Sequence, residues 1–400
     1  MKDANSFISL NNQYGALNYN PLPVVLTRGK GMWVWDVHGK RYLDCLSCYS
    51  ALSQGHCHPK IIKVLKEQAS LLTLTSRAFY NDKLPLFLEK ICRLAEFEKA
   101  LPMNTGAEAV ETALKIVRKW GYRIKNIPHD KAEIIVCNNN FHGRTTTIIS
   151  FSTTPQYYED FGPLTAGFKK IPFGDHEALV QAITPNTIGF LVEPIQAEGG
   201  INTPPPGYLR NVFDICKSHQ VLLMMDEIQT GLGRTGSLFA HQHEKSVKPD
   251  VLILGKALSG GVYPTSCVLT SDKIMDVIKP GDHGSTYGGN PLGAAVSIAA
   301  LDVLLEEGMI ENARIMGAFL MDELKALKSP HIREVRGRGL LIGIEIEKKS
   351  GPARTFCEKL LNAGILTTDT HRQVIRLAPP LVLKKKEALF ILKTVKDVLC

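Results

Sequence analysis

Val221-Leu222-Leu223-Met224-Met225-Asp226 and, thirty residues further on, Val251-Leu252-Ile253-Leu254-Gly255-Lys256 are the two stretches on which the fold turns. Each is a short apolar run with no polar residue at alternate positions, closed by a charged group. A strand with one wet face alternates apolar with polar residues, whereas a continuously apolar strand is covered on both faces, as in a parallel sheet between helical layers. Glu133–Cys137, residues 188–192 and residues 265–270 repeat the pattern, with helix-forming sequence between them. The chain therefore predicts an α/β fold with a mostly parallel central sheet. Ligands of such sheets bind beyond the carboxyl ends of the strands, which makes Asp226 and Lys256 the first residues to question about function.

Toward the N-terminus, GMWVWDVHGKRYLD (residues 31–44) predicts two short strands around the His38-Gly39 turn. Pro59 then opens a helix with Ile61, Ile62, Leu65 and Ala69 on one face. Beyond Asn290 come a helix-rich stretch over residues 291–327, a strand-like run over 339–346, a helix near 353–363 and an amphipathic helix from Lys385. This last quarter reads as a smaller α+β domain. A chain of 400 residues exceeds one average core, yet it holds no repeat and no Gly/Ser- or Pro-rich linker, so interleaved rather than tandem domains are expected. The expected division is an N-terminal segment, 1–58, joining the small domain, then a large domain, 59–308, and the C-terminal small domain, 309–400.

With 44% apolar and 22% charged residues the chain is not disordered, collagen-like or coiled-coil. Its most apolar stretch, residues 294–301, stops at Asp302, far short of the roughly 20 residues of a membrane span, so no membrane partner is expected. The formal charge of +8 comes from 47 Lys+Arg against 39 Asp+Glu. The cations are dispersed, the densest run being Lys384-Lys385-Lys386 followed at once by Glu387, which argues against nucleic acid and for anionic small ligands. Nine scattered cysteines and an opening MKDANSFISLNNQYG without a leader pattern point to a reducing cytoplasm.

A buried strand that delivers a carboxylate, beside one that delivers an amine behind a glycine, meets the needs of a pyridine-aldehyde cofactor. The lysine forms a Schiff base and the carboxylate keeps the ring nitrogen protonated, so that the ring withdraws electrons. From these two residues alone the ordinary alternative stands equally: a lysine snorkelling from a strand end and an aspartate capping the next turn. Asn104-Thr105-Gly106-Ala107-Glu108-Ala109 opens a helix running through Trp120. Its free N–H groups would seat a phosphate, although Asn-Thr-Gly is also an ordinary N-cap. A second hydroxyl-rich turn, residues 283–291, offers further donors.

Two motifs point elsewhere. Gly231-Leu232-Gly233-Arg234-Thr235-Gly236 fits the dinucleotide fingerprint, but residues 226–230 separate it from the strand and no apolar periodicity follows, so a tight, surface-facing active-site loop is expected instead. Cys45-Leu46-Ser47-Cys48 and His56-Cys57-His58 raise zinc, yet no second C-x-x-C completes a ligand set and no metal is expected.

The blocks YGALNYNPLPVVLTRGKG, LTLTSRAFYN, MNTGAEAVETALK, FHGRT, VEPIQAEGG, DEIQTGLGRTG, LGKALSGG, HGSTYGGNP and IRLAPPL run in order from near residue 14 to near residue 383. In them the chain resembles the class III aminotransferases, which depend on pyridoxal 5'-phosphate, and within that class it is most similar to the ornithine aminotransferases. The resemblance implies fold type I, with a mostly parallel seven-stranded sheet in the large, cofactor-binding domain. It further implies Lys256 as Schiff-base lysine and proton shuttle, Asp226 at the pyridinium nitrogen and Gln229 near the phenolic oxygen. Phe141 would stack on the ring, with His142 lining the pocket. Gly106 and Ala107 would hold the phosphate, joined by Ser285 and Thr286 from the second subunit of a homodimer whose active sites lie at the interface.

For substrates the resemblance implies Arg144 on the far carboxylate and Arg376 on the α-carboxylate of 2-oxoglutarate, with Glu198 masking Arg376 when ornithine is bound. Tyr19 and Tyr49 would hold the α-amino end and narrow the pocket. Because relatives acting on acetylornithine or 4-aminobutyrate typically have an aliphatic residue at the second tyrosine position, Tyr49 favours ornithine. The alternatives are those two donors on the same chemistry, or a non-catalytic binding protein on the same fold.

Overall fold

The apolar runs become neighbouring strands. The computed structural model describes residues 3–400, so Met1 and Lys2 of the opening segment lie outside it. A seven-stranded sheet runs in the order Lys99–Met103, Ser266–Thr270, Val251–Leu254, Leu222–Asp226, Thr187–Val192, Glu133–Cys137, Phe168–Ile171. Ser266–Thr270 is antiparallel to both its neighbours, and the remaining pairs are parallel. The two edge strands are the ones the apolar pattern does not announce. KALPM and FKKI carry lysines and a proline, which an edge tolerates because one side makes no ladder bonds.

Burial on both faces follows from pleating, which turns successive side chains to opposite sides. Leu223, Met225, Leu252 and Leu254 pack into one layer with Val212 and Cys216 of the helix Tyr208–Ser218 and Val296 and Leu301 of Pro291–Glu306. Leu222, Met224, Val251 and Ile253 pack into the other with Val110, Leu114 and Val117 of the helix Gly106–Arg123. Both faces being dry, no alternation is left for the sequence to show.

Two four-stranded sheets complete the chain. Leu26–Lys30, Trp33–Asp36 and Arg41–Asp44 form an antiparallel meander, and Ile365–Leu366 adds in parallel, with Leu43 opposite Ile365 and Asp44 opposite Leu366. Ile332–Arg338, Leu341–Ile346, Val374–Leu377 and Asp369–Thr370 form the other. Among the described residues no helix is long and apolar enough to cross a membrane.

The loop GLGRTG, expected to face the surface, is buried throughout, because its glycines serve close packing. A Cβ on Gly236 would lie 2.9 Å from the Arg314 backbone of the helix Met309–Lys325. Gly339, at φ +56°, rests on the Thr235 backbone with no room for a side chain, and Gly317 packs on its other side. Loop, turn and helix thus stack backbone on backbone.

Candidate active site

Asp226 ends its strand at the carboxyl edge of the large sheet, paired in register with Ile253, and Lys256 follows the adjacent strand behind Gly255. Lys256 adopts φ +44°, a left-handed conformation that costs a non-glycine residue energy and concentrates at functional sites. Burial pulls its amine below the usual lysine range. Glu198 and Asp226 oppose the shift and Arg376 reinforces it. The shift is toward the uncharged amine, the form that attacks a carbonyl.

Asp226 is held at both oxygens: Oδ1 accepts the Ile228 N–H at 3.0 Å, and Oδ2 lies 2.6 Å from His142 Nδ1. Burial works to lower the His142 pKa, but the hydrogen bond and charge of Asp226 outweigh it, and the ring titrates above its ordinary range. His142 does more than line the pocket: it braces the carboxylate. Its Nε2 is buried without a partner among the described residues.

These groups face a cavity of about 210 Å³. Of the residues singled out in the sequence, it brings together Gly106, Ala107, Phe141, His142, Asp226, Gln229 and Lys256. On its floor begins the helix Gly106–Arg123, capped by a reciprocal box: Thr105 Oγ1 accepts from Glu108 N–H, and the Glu108 carboxylate accepts from Thr105 N–H. Among the described residues the N–H groups of Gly106 and Ala107 have no acceptor, which leaves an anion seat at the positive end of the helix. Gly106 keeps that seat open, since a Cβ there would press on Ile228 Cδ1 at 3.1 Å.

Ser285 and Thr286 do not line their own chain's cavity. Ser285 Oγ accepts from Asn104 Nδ2 at 2.9 Å, beside the helix start, while Thr286 is exposed. On the substrate side, Arg376 is 1% exposed and grips Glu198 with both terminal nitrogens, at 2.6 and 2.7 Å. Burial pushes the Glu198 carboxyl up, but the guanidinium overrides it and holds the acid down at about 2. Gln229 lies against both partners at 3.4 Å, a contact its expected place at the ring oxygen does not include. The Tyr49 ring centroid is 5.1 Å from the Arg376 guanidinium. Burial and the charge of Glu198 raise the Tyr49 phenol's pKa, and Tyr19 adds to the shift although its own side chain is mostly exposed. Arg144 is exposed, stacked 3.9 Å over Tyr157, with no carboxylate partner among the described residues.

Sequence reasoning missed five wall residues, Gly143, Glu193, Ile195, Ile228 and Thr230. Glu193 follows the apolar run 188–192 just as Asp226 follows its own run, so the same rule finds it. One oxygen accepts the Phe141 N–H at 3.0 Å, and burial, helped by the charge of Asp226, raises its pKa to about 8. Ile228 has no polar signal to mark it. His56 and His58, weighed as zinc ligands, pair instead with Asp44 at 2.7 Å and Glu307 at 3.2 Å. A larger groove of about 650 Å³ opens between Trp120, Phe213 and Lys248 at the opposite end of the sheet, and none of the candidate site residues lines it.

A buried lysine amine whose charge burial disfavours, a braced carboxylate and an anion seat around one small cavity suit a ligand that carries an aldehyde, a basic ring nitrogen and a phosphate. Pyridoxal phosphate carries all three, and the architecture is that of the fold-type I enzymes that use it. The chain belongs to the class-III aminotransferases, whose family model matches residues 14–399. It is 54% identical over 399 residues to an ornithine aminotransferase of Brevibacillus brevis, covering 100% of this chain and 99% of that one. It superimposes with a TM-score of 0.98, at 47% identity, on the ornithine aminotransferase of Toxoplasma gondii, covering 100% and 95% of the two chains. An acetylornithine aminotransferase of Elizabethkingia anophelis is 48% identical with a TM-score of 0.90, covering 100% and 99%. The family and fold class expected from the sequence are both borne out.

Proposed function

We propose that the protein is an ornithine δ-aminotransferase, moving the δ-amino group of L-ornithine to 2-oxoglutarate to give L-glutamate 5-semialdehyde and L-glutamate in two half-reactions. The observation that carries the choice of substrates is the two-pronged Glu198–Arg376 pair with Tyr49 against it. A donor whose α-carboxylate must be refused and an acceptor whose α-carboxylate must be gripped call for a guanidinium that can be masked and unmasked.

Lys256 Nζ would hold the pyridoxal phosphate aldehyde carbon at rest and, once released, carry a proton to and from the reacting carbon. Asp226, braced by His142, would keep the ring nitrogen protonated. Gly106 and Ala107 would seat the phosphate, and Phe141 and Ile228 would wall the ring. When bound, the cofactor supplies the electron sink that makes the substrate's C–H acidic. Arg144, stacked on Tyr157 but without a carboxylate partner among the described residues, is available to the far carboxylate, and Tyr19 with Tyr49 to the α-amino end.

The same reading includes a cytoplasmic homodimer in which Ser285 and Thr286 complete the partner's phosphate seat. Exposed Leu71, Phe79, Tyr80 and Tyr287 support a surface that a second copy covers. It also includes the division into residues 1–58, 59–308 and 309–400. The test is Lys256→Ala in the holoenzyme: the visible band and its bleaching by ornithine should vanish, with turnover at least about 10³-fold lower. Wild-type turnover in that variant would refute the assignment.

A further inference from the structure

Between the strand Arg41–Asp44 and the helix Pro59–Ala69, four consecutive residues occupy the left-handed region: Ser47 at φ 50°, Cys48 at 47°, Tyr49 at 58° and Ser50 at 74°. They form one left-handed helical turn, closed by Leu52 N–H to Ser47 O at 3.0 Å. None is a glycine, asparagine or aspartate, the residues that visit this region most readily. Single left-handed residues occur in many loops, but a run of four persists only where its surroundings over-determine it.

The turn's own side chains do not hold it, for the Ser47 and Ser50 hydroxyls are buried without partners among the described residues. Its neighbours do. Asp44 Oδ1 accepts the N–H groups of Leu46 and Ser47, both at 2.9 Å, and Asp44 Oδ2 lies 2.7 Å from His56 Nε2. His56 is fixed in turn by two backbone bonds with Gly31. On either side of the turn, Cys45 O accepts from Ala378 N–H and Ser53 O from Leu381 N–H, each at 2.7 Å, which laces the chain just after Arg376 to both ends. Gln54 Nε2 donates to Ala257 O, next to Lys256. Within this frame stands Tyr49, facing Arg376.

We propose that Ser47–Ser50 is a strained mount that fixes Tyr49 against Arg376, and that Asp44 is the positioning residue holding the mount. Selection among amino donors then depends on a carboxylate that does not line the cavity. A tyrosine on a relaxed loop would follow the guanidinium when Glu198 releases it. A tyrosine on a turn with one backbone solution stays in place, so the pocket keeps its width while Arg376 changes partners between half-reactions. The inference rests on the reading of Tyr49 as a substrate-side residue.

Cys48→Gly, Asp44→Asn and Tyr49→Ile holoenzymes test it through thermal midpoints and through kcat and KM for ornithine and N-acetylornithine. Glycine relieves the left-handed strain at an exposed position, so Cys48→Gly should melt no lower than the wild type. Its kcat/KM ratio for ornithine over N-acetylornithine should nevertheless fall at least about threefold, through KM, with kcat held within about twofold. Asp44→Asn should move the ratio the same way. A lowered midpoint in Cys48→Gly, or an unmoved ratio in both Cys48→Gly and Asp44→Asn while Tyr49→Ile moves it, overturns the mount. An unmoved ratio in Tyr49→Ile overturns instead the reading beneath it.

Discussion

Glu198→Gln puts a number on the masking of Arg376. In the structure the pair is bidentate, with Arg376 1% and the Glu198 side chain 21% exposed. Holding this carboxyl at about 2 rather than its ordinary 4.5 corresponds to about 3 kcal/mol in favour of its ionised form. Partial solvent access and the desolvation of both ions reduce the net worth of the pair to about 2 kcal/mol. The α-carboxylate of 2-oxoglutarate must displace Glu198 to reach the guanidinium, so that amount is subtracted from its binding. Glutamine removes the subtraction, and 2-oxoglutarate should bind about 30-fold more tightly. Ornithine would meet the same bare guanidinium, so its α-carboxylate should dock there, δ-transfer should fall, and α-transfer should appear among the products. Titration of the cofactor's visible band through each half-reaction measures both effects, and trapping of the semialdehyde distinguishes the products. Unchanged 2-oxoglutarate affinity together with unchanged δ-selectivity would refute the mask.

Two further perturbations address the frame of the site. The folded His142 pKa lies above its ordinary value, so the stabilisation its charge provides is complete below about pH 6 and is lost as pH rises through the raised value. The gap between wild-type and His142→Asn melting temperatures should accordingly narrow on going alkaline, and a gap independent of pH would deny the ion pair with Asp226. Gly339→Ala, at φ +56° and against the Thr235 backbone, should lose about 3 kcal/mol or more in urea denaturation; an unshifted midpoint would show that the stack yields freely.

The sheet was legible because burial on two faces leaves uninterrupted apolar runs, and the charged residues that close two of them, Asp226 and Lys256, gained chemical meaning only beside the phosphate-seat motif and the nine ordered blocks. Glu193 closes the run 188–192 in the same way. The edge strands were illegible since half their backbone faces no partner and polar residues cost them little. The turn at Ser47–Ser50 was beyond reach for a different reason. Left-handed backbone is announced by glycine or asparagine, and here the conformation is imposed by Asp44, His56 and the strand exit at Ala378, which lie outside the turn. His142 was readable as a wall but not as the brace of Asp226, because that contact joins a loop to the end of a strand 84 residues away. The contact of Gln229 with the Glu198–Arg376 pair was hidden likewise.

The short parallel pairing of Leu43 with Ile365 and Asp44 with Leu366 bears on how the protein is made. It closes a loop of about 320 residues, an entropic cost that nothing local offsets. Every strand of the large sheet, with Lys256 and Asp226 at its edge, has been synthesised by Thr270. The outer edge of Arg41–Asp44 stays unpaired until the last tenth of the chain leaves the ribosome, bringing Arg376 with it. A nascent or C-terminally clipped chain therefore presents an open strand edge prone to aggregation. Such a chain can form the end of the pocket that holds the cofactor before the end that tells one donor from another, so selectivity is the last property the growing chain acquires.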